Sequence, residues 1–586
     1  MAEKPLLIFD GKCGFCRIWI EYWKQLTGDR IEYGPSQELA DQFPRIPRQS
    51  FSESVQLVMP DGEAISGARA VFTALSYARG EAWLLWLYDH APGFAPATEF
   101  AYCFIARHRD FGYHATRLLF GRGVSPATSR KAEWVFPRAL GLVYLVAFAS
   151  LGMQVAGLIG SHGILPIDSY LNAISATFGA RGYQLVPTVF WLNHSDMFLK
   201  AGCWIGAAVS LVLIAGFFER TALAILYALY LSYSAVGRDF LSYQWDALLL
   251  EAGFLAIFLG SSRTVVWLFR WLLFRLMFLS GAVKLLSHDE TWRNLTALKF
   301  HYETQPLPTP LAWYMYQLPM SFQRVSTCMV FVFELGFPFL IFAPRRLRMF
   351  GAAGLIFLQV LIFLTGNYTF FNVLAVALCV FLFDDAALAK LRFSRRRGTN
   401  RIVAGVVAAL VLLLSGLEMA NTFFDYSADT GNALLHLAGP FNIVNSYGLF
   451  AVMTTTRPEI IVQGSNDGEA WLDYEFPYKA GDLKQRPKWV APFQPRLDWQ
   501  MWFAALENYQ SARWFVNFMV QLLQGSPDVT GLLAKNPFAA GAPKYVRAEL
   551  FLYSFTNWEE RRATGQWWKR EPRGLYLPAI SLADVR

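Results

Sequence analysis

Two cysteines separated by two residues stand near the start of the chain, in the stretch FDGKCGFC. The apolar residues before them predict a short strand, and the spacing of apolar residues from Gly14 to Leu26 predicts a helix after the first cysteine. Cys13 then lies at the helix N-terminus, where unpaired N–H groups and the helix dipole stabilise a thiolate. Lys12 adds a positive charge beside it. These features favour a thiol–disulfide redox pair.

Two other interpretations of Cys13 and Cys16 stay open, namely half of a metal site and a pair of inactive thiols. A structural zinc site needs four ligands, and no second pair of cysteines or histidines follows at the spacing of a zinc finger. We favour the redox interpretation, and we predict neither a metal ion nor another cofactor.

A second group of residues that could do chemistry consists of charged side chains inside apolar segments. These are Asp246, Glu251, Arg270, Arg275, Lys284 and Glu334. A charge at membrane depth is costly, so it normally faces a partner or a cavity. Asp246 and Glu251 would lie about 140° apart around a helix, which predicts different partners for them. The group either forms ion pairs that fix a helical bundle or lines a polar cavity that binds a substrate.

The composition of the chain favours a membrane protein. Of its 586 residues, 54% are hydrophobic and 16% are charged, whereas soluble domains carry about 25% charged residues. Much of the net charge of +8 flanks apolar segments, as at 344–348 and 392–401, so we attribute it to membrane topology and expect no nucleic-acid partner. Six cysteines, only two of them closely spaced, exclude a disulfide framework. The first residues do not resemble a cleavable signal peptide.

Three regions of different character follow one another along the chain. Residues 1–120 alternate strand and helix patterns, including the hairpin SVQLVMPDGEAI and the helix GARAVFTALSYA, and they predict a small α/β domain. A basic linker follows at 121–135, and apolar segments fill 136–420. The tail, 421–586, has strand patterns on both sides of a helical stretch that ends at Gly525. It predicts a mainly β domain with a helical insertion.

The apolar region predicts about nine membrane spans. Its segments lie near 136–160, 198–218, 221–236, 245–260, 264–286, 327–343, 349–366, 369–383 and 402–420. The uncharged stretch 350–383 is too long for one span, so we predict a helical hairpin that turns at Gly366 and Asn367. Because basic clusters flank this hairpin and precede the first segment, the positive-inside rule puts the N-terminus in the cytoplasm. The loop 287–326 and the tail then lie on the external side.

The stretch FDGKCGFC resembles the Asp-x-x-Cys-x-x-Cys signature of the DCC family of thiol–disulfide oxidoreductases, and DGEAISGARAV resembles that family's hairpin-to-helix segment. The resemblance covers roughly 1–120 and implies a thioredoxin-like fold. It also implies that Cys13 attacks a disulfide, that Cys16 resolves the mixed disulfide and that Asp10 assists proton transfer. The chain departs from thioredoxins in having no proline directly before the SVQLV strand.

The loop LSHDETWRNLTALKFHYETQPLPTPLAWYMYQLP and the tail motifs NSYGLFAVMTTTRPEI, VAPFQPRLDWQMWFAAL and KNPF resemble the lipase maturation factor family. This resemblance covers about 130–580. It implies a multispanning membrane protein that helps secreted lipases to reach their active form and has no catalytic triad of its own. No Gly-x-Ser-x-Gly motif occurs in the chain, so we do not expect it to be a lipase.

The resemblance makes the external loop and the tail the candidate client-binding surface. The candidate residues are His301, Tyr302, Glu303, Asp498 and Trp499. The helical spacing of the tail aromatics is equally typical of a buried core. The expected partners are the lipid bilayer, an exported client of the lipase class and a redox partner in the cytoplasm.

Two enzymatic alternatives remain beside the non-catalytic maturation role. The first is a membrane-tethered thiol–disulfide oxidoreductase. The second is a membrane enzyme, since the membrane architecture also resembles the vitamin K-dependent carboxylase group, with Lys284 as its candidate base.

Overall fold

The computed structural model describes 4–78, 80–121, 123–124, 128–260, 263–391, 401–424 and 429–585, without the side chains of 429–432. The predicted basic cluster at 392–400 and part of the predicted linker lie outside the described residues. The chain forms two compact units. They consist of Met1–Thr128 with Phe342–Phe350, and of Ser129–Ile341 with Gly351–Arg586.

The first unit contains the strands and helices of an α/β structure. Its strands are β1 (Leu6–Phe9), β2 (Glu32–Pro35), β3 (Gln56–Val58) and β4 (Ala64–Ser66). Its helices are α1 (Gly14–Thr27), α2 (Ser36–Leu39), α3 (Arg48–Glu53), α4 (Gly67–Ser76), α5 (Ala82–His90), α6 (Phe94–Arg107) and α7 (Arg109–Phe120).

The sheet of the first unit has the strand order β2-β1-β3-β4. Strand β1 is parallel to β2 and antiparallel to β3, and β4 is antiparallel to β3. The predicted hairpin is β3–β4, and the predicted helices are α1 and α4, so these predictions are confirmed. The core forms because Leu7 and Leu57 of the strands pack against Ile20 of α1 and Ala74 of α4.

From Ser129 onward the chain is largely helical. The helices are α8 (Arg130–Gly152), α9 (Val155–Ile159), α10 (Ile167–Phe178), α11 (Gly182–Leu185), α12 (Asp196–Ala215), α13 (Glu219–Gly237), α14 (Gln244–Ile257), α15 (Arg263–Leu286), α16 (Glu290–Arg293), α17 (Ala297–Thr304), α18 (Pro310–Tyr316), α19 (Met320–Phe331), α20 (Arg345–Thr365), α21 (Phe371–Leu378), α22 (Arg401–Phe424), α23 (Asp429–Ala438), α24 (Arg496–Leu506), α25 (Arg513–Gln524), α26 (Pro527–Thr530) and α27 (Trp558–Thr564). The strands are β5 (Arg457–Ser465), β6 (Leu472–Asp473), β7 (Tyr545–Phe555) and β8 (Trp568–Ile580).

Within the described residues, 6 helical stretches are long and apolar enough to cross a bilayer. They are α8, α12, α15, α20, α22 and Met320–Phe342, which is α19 with its π-helical and 3₁₀ continuation. The chain is therefore an integral membrane protein. The other three predicted spans are helical as α13, α14 and α21 but are shorter or less apolar. The number of nine spans stays a prediction.

The long uncharged stretch is broken where the sequence predicts a turn. Helix α20 ends at Thr365 and α21 begins at Phe371. Between them, Asn367 satisfies backbone groups, because its Oδ1 accepts a hydrogen bond from the Val490 N–H at 2.8 Å and its Nδ2 donates to the Lys488 carbonyl at 2.8 Å. The predicted helix break is confirmed.

The two ends of the long helices of the second unit have different neighbours. At one end they contact residues of the C-terminal region, in the pairs Ser150 with Gln494, Lys200 with Asp528, Asp246 with Arg496 and Ser287 with Ala451. At the other end, the Phe269 ring near the start of α15 lies 4.7 Å from Phe136 and 4.5 Å from Phe381. Helix α21 and its 3₁₀ continuation therefore lead from the first end toward the second.

The C-terminal region contains an antiparallel sheet with the order β6-β5-β7-β8. Strands β5 and β7 and the helix end at Gly525 are confirmed, although the predicted helical stretch is two helices, α24 and α25. Strand β8 was not predicted, because seven consecutive residues after Trp568 are exposed and its sequence lacks the alternation of a half-buried strand.

The C-terminal region does not form a compact unit of its own, which differs from the separate domain predicted for 421–586. Its helix residues Phe515 and Met519 belong to the same hydrophobic cluster as Leu248 of α14 and Leu272 of α15. The physical reason is that the ends of the spans carry polar and aromatic groups whose partners come from the C-terminal region.

The clearest of these partnerships is the buried ion pair of Asp246 with Arg496. The guanidinium lies 3.0 Å from the carboxylate, and each side chain is 1% exposed. Tyr230 also donates a hydrogen bond to Asp246. Because breaking a buried pair leaves an uncompensated charge, the contact ties α14 to α24.

We expect Asp246→Asn to lower the free energy of unfolding by about 3–5 kcal/mol, because Arg496 keeps its charge and loses its counter-ion. The measurement is reversible unfolding of the purified protein in detergent. The matched control is Glu475→Gln, which breaks the exposed pair of Glu475 with Lys535 and should cost about 0–1 kcal/mol. Equal losses in the two variants would contradict a structural role for the buried pair.

Candidate functional site

The dithiol motif begins at the N-terminus of α1. Cys13 is the residue that caps the helix, and its Sγ accepts a hydrogen bond from the Cys16 N–H at 3.3 Å. The cap points the sulfur at the free N–H groups of the first turn. The helix ends at Gly28, which has a φ of 59°. The predicted position of Cys13 at a helix start is confirmed.

Asp10 is held beside the dithiol by hydrogen bonds from both sides. Its Oδ1 accepts from the Lys12 N–H at 3.0 Å and from Gln37 Nε2 at 2.9 Å. Its Oδ2 accepts from Arg109 at 3.1 Å. The carboxylate therefore has a fixed orientation, as a proton-transfer group requires.

Sequence reasoning missed Arg109, which comes 99 residues after Asp10. Its guanidinium also donates to the backbone carbonyls of Ser52 and Glu53, so it connects α7 to both the dithiol loop and the end of α3. A single arginine at the start of an amphipathic helix carries no local signal of this role. Only the tertiary contact between α7 and α1 reveals it.

Helix α7 covers the motif through two glycine contacts. A Cβ on Gly14 would lie 3.2 Å from the Tyr113 ring, and a Cβ on Gly112 would lie 3.2 Å from the Phe15 ring. The motif residue Gly14 therefore allows an aromatic ring to approach the helix start. This close packing shields one side of the dithiol.

A largely apolar cavity of about 310 Å³ opens beside Cys16. Trp19, Phe72 and Tyr102 contribute aromatic walls, whereas Asp10 and Arg109 supply the charged part of the lining. Burial, followed by the hydrogen bond with Cys13, raises the pKa of the Cys16 thiol to about 12. Cys16 therefore stays a thiol at neutral pH, which suits a resolving cysteine more than an attacking one.

The charged residues of the apolar helices are buried and have partners. Arg275 forms an ion pair with Glu251, and Lys284 lies 2.8 Å from Glu334. Asp246 and Glu251 therefore have different partners, as their angular separation predicts. Arg270, the last of the group, donates to the Phe381 carbonyl at 3.0 Å.

The five candidate client-binding residues do not form an exposed surface. Tyr302, Glu303, Asp498 and Trp499 are each 9% exposed or less, and His301 is half-buried and lines a cavity. Burial is the physical reason for this correction, since a client cannot contact these side chains while the core is closed.

Two of these residues are instead structural in the C-terminal region. Asp498 accepts hydrogen bonds from the N–H groups of Tyr478 and Lys479, both at 2.8 Å, and burial raises its pKa to about 6. Trp499 packs edge-on against Trp245 of α14 at 4.7 Å between ring centroids. The VAPFQPRLDW motif is thus part of the joint between the spans and the tail.

A dithiol-bearing α/β unit followed by membrane helices that share their core with a strand-containing region defines a multidomain integral membrane protein. Comparison with known protein families assigns the three regions separately. Residues 7–112 match the DCC1-like thiol-disulfide oxidoreductase model. Residues 131–390 match the lipase maturation factor transmembrane domain, and 443–578 match the lipase maturation factor C-terminal domain.

Known relatives agree with this assignment over most of the chain. Lipase maturation factor 2 of Gallus gallus is 34% identical, with 78% of this chain and 82% of the relative covered. Lipase maturation factor 1 of Bos taurus is 35% identical, with 77% and 89% covered, and that of Homo sapiens is 35% identical, with 77% and 88% covered. This chain belongs to the lipase maturation factor family. No solved structure matches it.

We expect alkylating reagents to modify Cys13 faster than Cys16 at neutral pH, because burial holds Cys16 as a thiol with a pKa of about 12. The measurement is mass spectrometry of a time course with iodoacetamide, using Cys16→Ser and Cys13→Ser to isolate each thiol. Cys103, which is exposed, is the internal reference for reagent access.

The labelling of Cys16 should also rise with pH throughout the alkaline range, since its thiolate becomes abundant only near the raised pKa. Faster labelling of Cys16 than of Cys13 would reverse the assignment of attacking and resolving thiols.

Proposed function

We propose that this protein is a membrane-embedded maturation factor for exported proteins, with lipases as the client class, and that its first unit performs thiol–disulfide exchange. The observation that carries the proposal is the similarity to proteins named lipase maturation factor, which extends through both the membrane and the C-terminal regions. In this chain those two regions share one hydrophobic core. They would therefore act on a client together.

We propose a thioredoxin-like fold for the first unit. Its support is the strand order β2-β1-β3-β4, with a parallel β1–β2 pair joined through α1 and an antiparallel β3–β4 hairpin that leads into α4. The Cys13 helix cap after β1 is consistent with this topology. In exchange, the Cys13 thiolate would attack a substrate disulfide, and the Cys16 thiol would release the second substrate thiol by closing the intramolecular disulfide.

We also propose that the N-terminal unit is cytoplasmic and that the C-terminal region is external. The basic residues Arg130 and Lys131 lie in the first turn of α8, and the cluster at 345–348 lies at the start of α20, so the positive-inside rule favours the cytoplasm for both helix starts. Helices α13 and α14 occur as a pair between α12 and α15. Whether this pair spans the membrane or not, the number of crossings before the tail stays odd or even as before. The sidedness of the tail therefore depends on α21.

The contacts of α21 support a crossing. The chain before it, at Asn367, bonds to Val490 of the C-terminal region, whereas Phe381 after it stacks on Phe269 near the opposite end of α15. A crossing by this short helix returns the chain to the side of the basic cluster at 392–401. Helix α22 then leads to an external tail.

We propose that a client contacts the exposed edge of the C-terminal sheet. Strand β8 lies at that edge, and its residues 569–575 are exposed. An edge strand offers unpaired backbone groups that an extended client segment can pair with. The polar residues Lys569, Glu571 and Arg573 keep this edge from pairing with copies of itself.

A separate observation bears on the carboxylase-like alternative. Lys284 Nζ donates to both oxygens of Glu334, at 3.1 and 2.8 Å, and to the Ser280 carbonyl at 2.9 Å. The Lys284 nitrogen is thus occupied by acceptors that belong to this chain. This geometry favours the maturation role over catalysis by Lys284.

The function is tested by co-expressing a secreted lipase with this chain in cells that lack their own maturation factor. We expect the full chain to restore the specific activity of the secreted lipase at unchanged lipase mRNA. The double variant Cys13→Ser with Cys16→Ser should keep this activity, because the proposed sidedness separates the thiols from the client. If the full chain, at matched protein levels, restores no activity, the maturation role is wrong, and if only the double variant fails, the oxidoreductase alternative is right.

The sidedness is tested with a membrane-impermeant maleimide on sealed vesicles of known orientation. We expect Glu571→Cys on β8 to be labelled from outside, and the native Cys103 of the first unit to be labelled only after permeabilisation. Both residues are exposed, so access through the membrane decides the result. Labelling of both, or of neither, from outside would contradict an odd number of crossings.

A further inference from the structure

A cavity of about 100 Å³ lies inside the second unit, where α15 and α20 end. Its wall is mostly apolar and comes from α15, α17, α19, α20 and the segment around Phe450. The polar side chains in the wall include Lys284, His301, Glu334 and Tyr368. The proposed maturation role uses none of these groups.

Glu334 reaches this cavity from a distorted part of its helix. The helix α19 continues into the π-helical turn Val332–Gly336, and such turns are frequent at functional sites. Gly281 of α15 permits the close approach, because a Cβ there would lie 2.9 Å from the Glu334 Cβ. Lys284 then pairs with Glu334 at 2.8 Å. The pair has no net charge, and the carboxylate keeps lone pairs beyond those that Lys284 uses.

The hydrogen bonds around His301 fix which of its two ring nitrogens can accept a hydrogen bond. Gln305 Nε2 donates to the Thr365 carbonyl at 2.9 Å, so its Oε1 accepts from the Tyr368 hydroxyl at 3.0 Å. The hydroxyl oxygen in turn accepts from His301 Nε2 at 3.1 Å. Burial, followed by the charge of Lys284, lowers the pKa of His301 to about 4, so the ring is neutral. Its proton is on Nε2, and Nδ1 has a free lone pair.

The chemistry of the wall selects the ligand. His301 Nδ1 has no hydrogen-bond partner in the described part of the chain, and both it and Glu334 accept hydrogens. A charged head group would lose its hydration against a site without net charge, whereas a hydroxyl would satisfy both acceptors. The apolar lining and the neighbouring spans suit a hydrocarbon chain.

We propose that this cavity binds the small hydroxyl-bearing head of a neutral lipid, with His301 and Glu334 accepting its hydrogen bonds. The volume suits a head group of the size of glycerol. The lipid chain would leave between the apolar side chains toward the bilayer. This site is independent of the client-binding edge and of the dithiol.

The test uses the full-length protein in phosphatidylcholine nanodiscs and monooleoylglycerol with a photoactivatable diazirine in its acyl chain. We expect the label, mapped by mass spectrometry, on peptides of α15, α17 or α20. Unlabelled monooleoylglycerol should compete, and oleate, which has the same chain with a charged head, should not. Labelling outside the cavity or equal competition by oleate overturns the proposal.

Two variants act on the site by different routes. His301→Phe removes the acceptor, and Val330→Phe fills the cavity from α19 without changing a polar group. Each variant should reduce the labelling about tenfold, because the first loses a buried hydrogen bond and the second loses space for the ligand. The matched control is His194→Phe, a partly exposed histidine outside the cavity. Thermal unfolding identifies variants that fold. Wild-type labelling of folded Val330→Phe overturns the proposal even if His301→Phe does not fold.

Discussion

The structure of the second unit depends on the pairing of charged side chains that are buried among apolar helices. Asp246, Glu251 and Lys284 each meet an opposite charge, and the first two lie on the same helix about 140° apart. Desolvation of an unpaired charge would cost several kcal/mol. Each pair therefore specifies which neighbour a helix must have. Apolar packing alone would specify the neighbour poorly, because many helix faces are equally hydrophobic.

The same constraint explains why the C-terminal region shares a core with the spans. Arg496 forms the ion pair with Asp246. The carboxylate of Glu251 accepts hydrogen bonds from the Asn445 N–H at 3.0 Å and from the Tyr447 hydroxyl at 2.8 Å. The tail motifs NSYG and QPRLDW are thus the groups that satisfy charges of the bundle. These contacts position the tail, and the proposed client would use surfaces that they leave exposed.

Local features of the fold could be predicted from the sequence, and distant pairings could not. The helix after Cys13, the β3–β4 hairpin and the break at Asn367 follow from short patterns of apolar residues, glycines and turn residues. The burial of Asp246 follows from its apolar neighbours, but the identity of Arg496 as its partner does not, since 250 residues separate them. The sequence does not predict strand β8 for a related reason, since an exposed edge strand has no buried face to produce an alternating pattern.

The candidate site shows the same division. Cys13, Cys16 and Asp10 form a local motif, and their spacing contains most of the information about their chemistry. Arg109, which orients Asp10, lies on α7 and has no signature of its own. His301 is the opposite case: it was selected as a surface residue, but Gln305 and Tyr368 place it inside a cavity and fix its tautomer. Its neighbours, not its own type, determine whether it can bind a ligand.

Under the proposed sidedness, the arrangement of the regions along the chain would give the dithiol unit a physical role that does not require contact with the client. The first unit precedes α8 and matches a family model different from those of the membrane and C-terminal regions. A short covalent tether to a membrane protein raises the effective concentration of a module to the order of mM toward partners at the same membrane face. The apolar cavity beside Cys16 would favour partners with an apolar group next to the disulfide. Under the proposed function, confinement at the membrane and an apolar binding site would both act on the same exchange reaction. Under the proposed sidedness, the bundle and the tail, joined by their shared charges, would serve the opposite face.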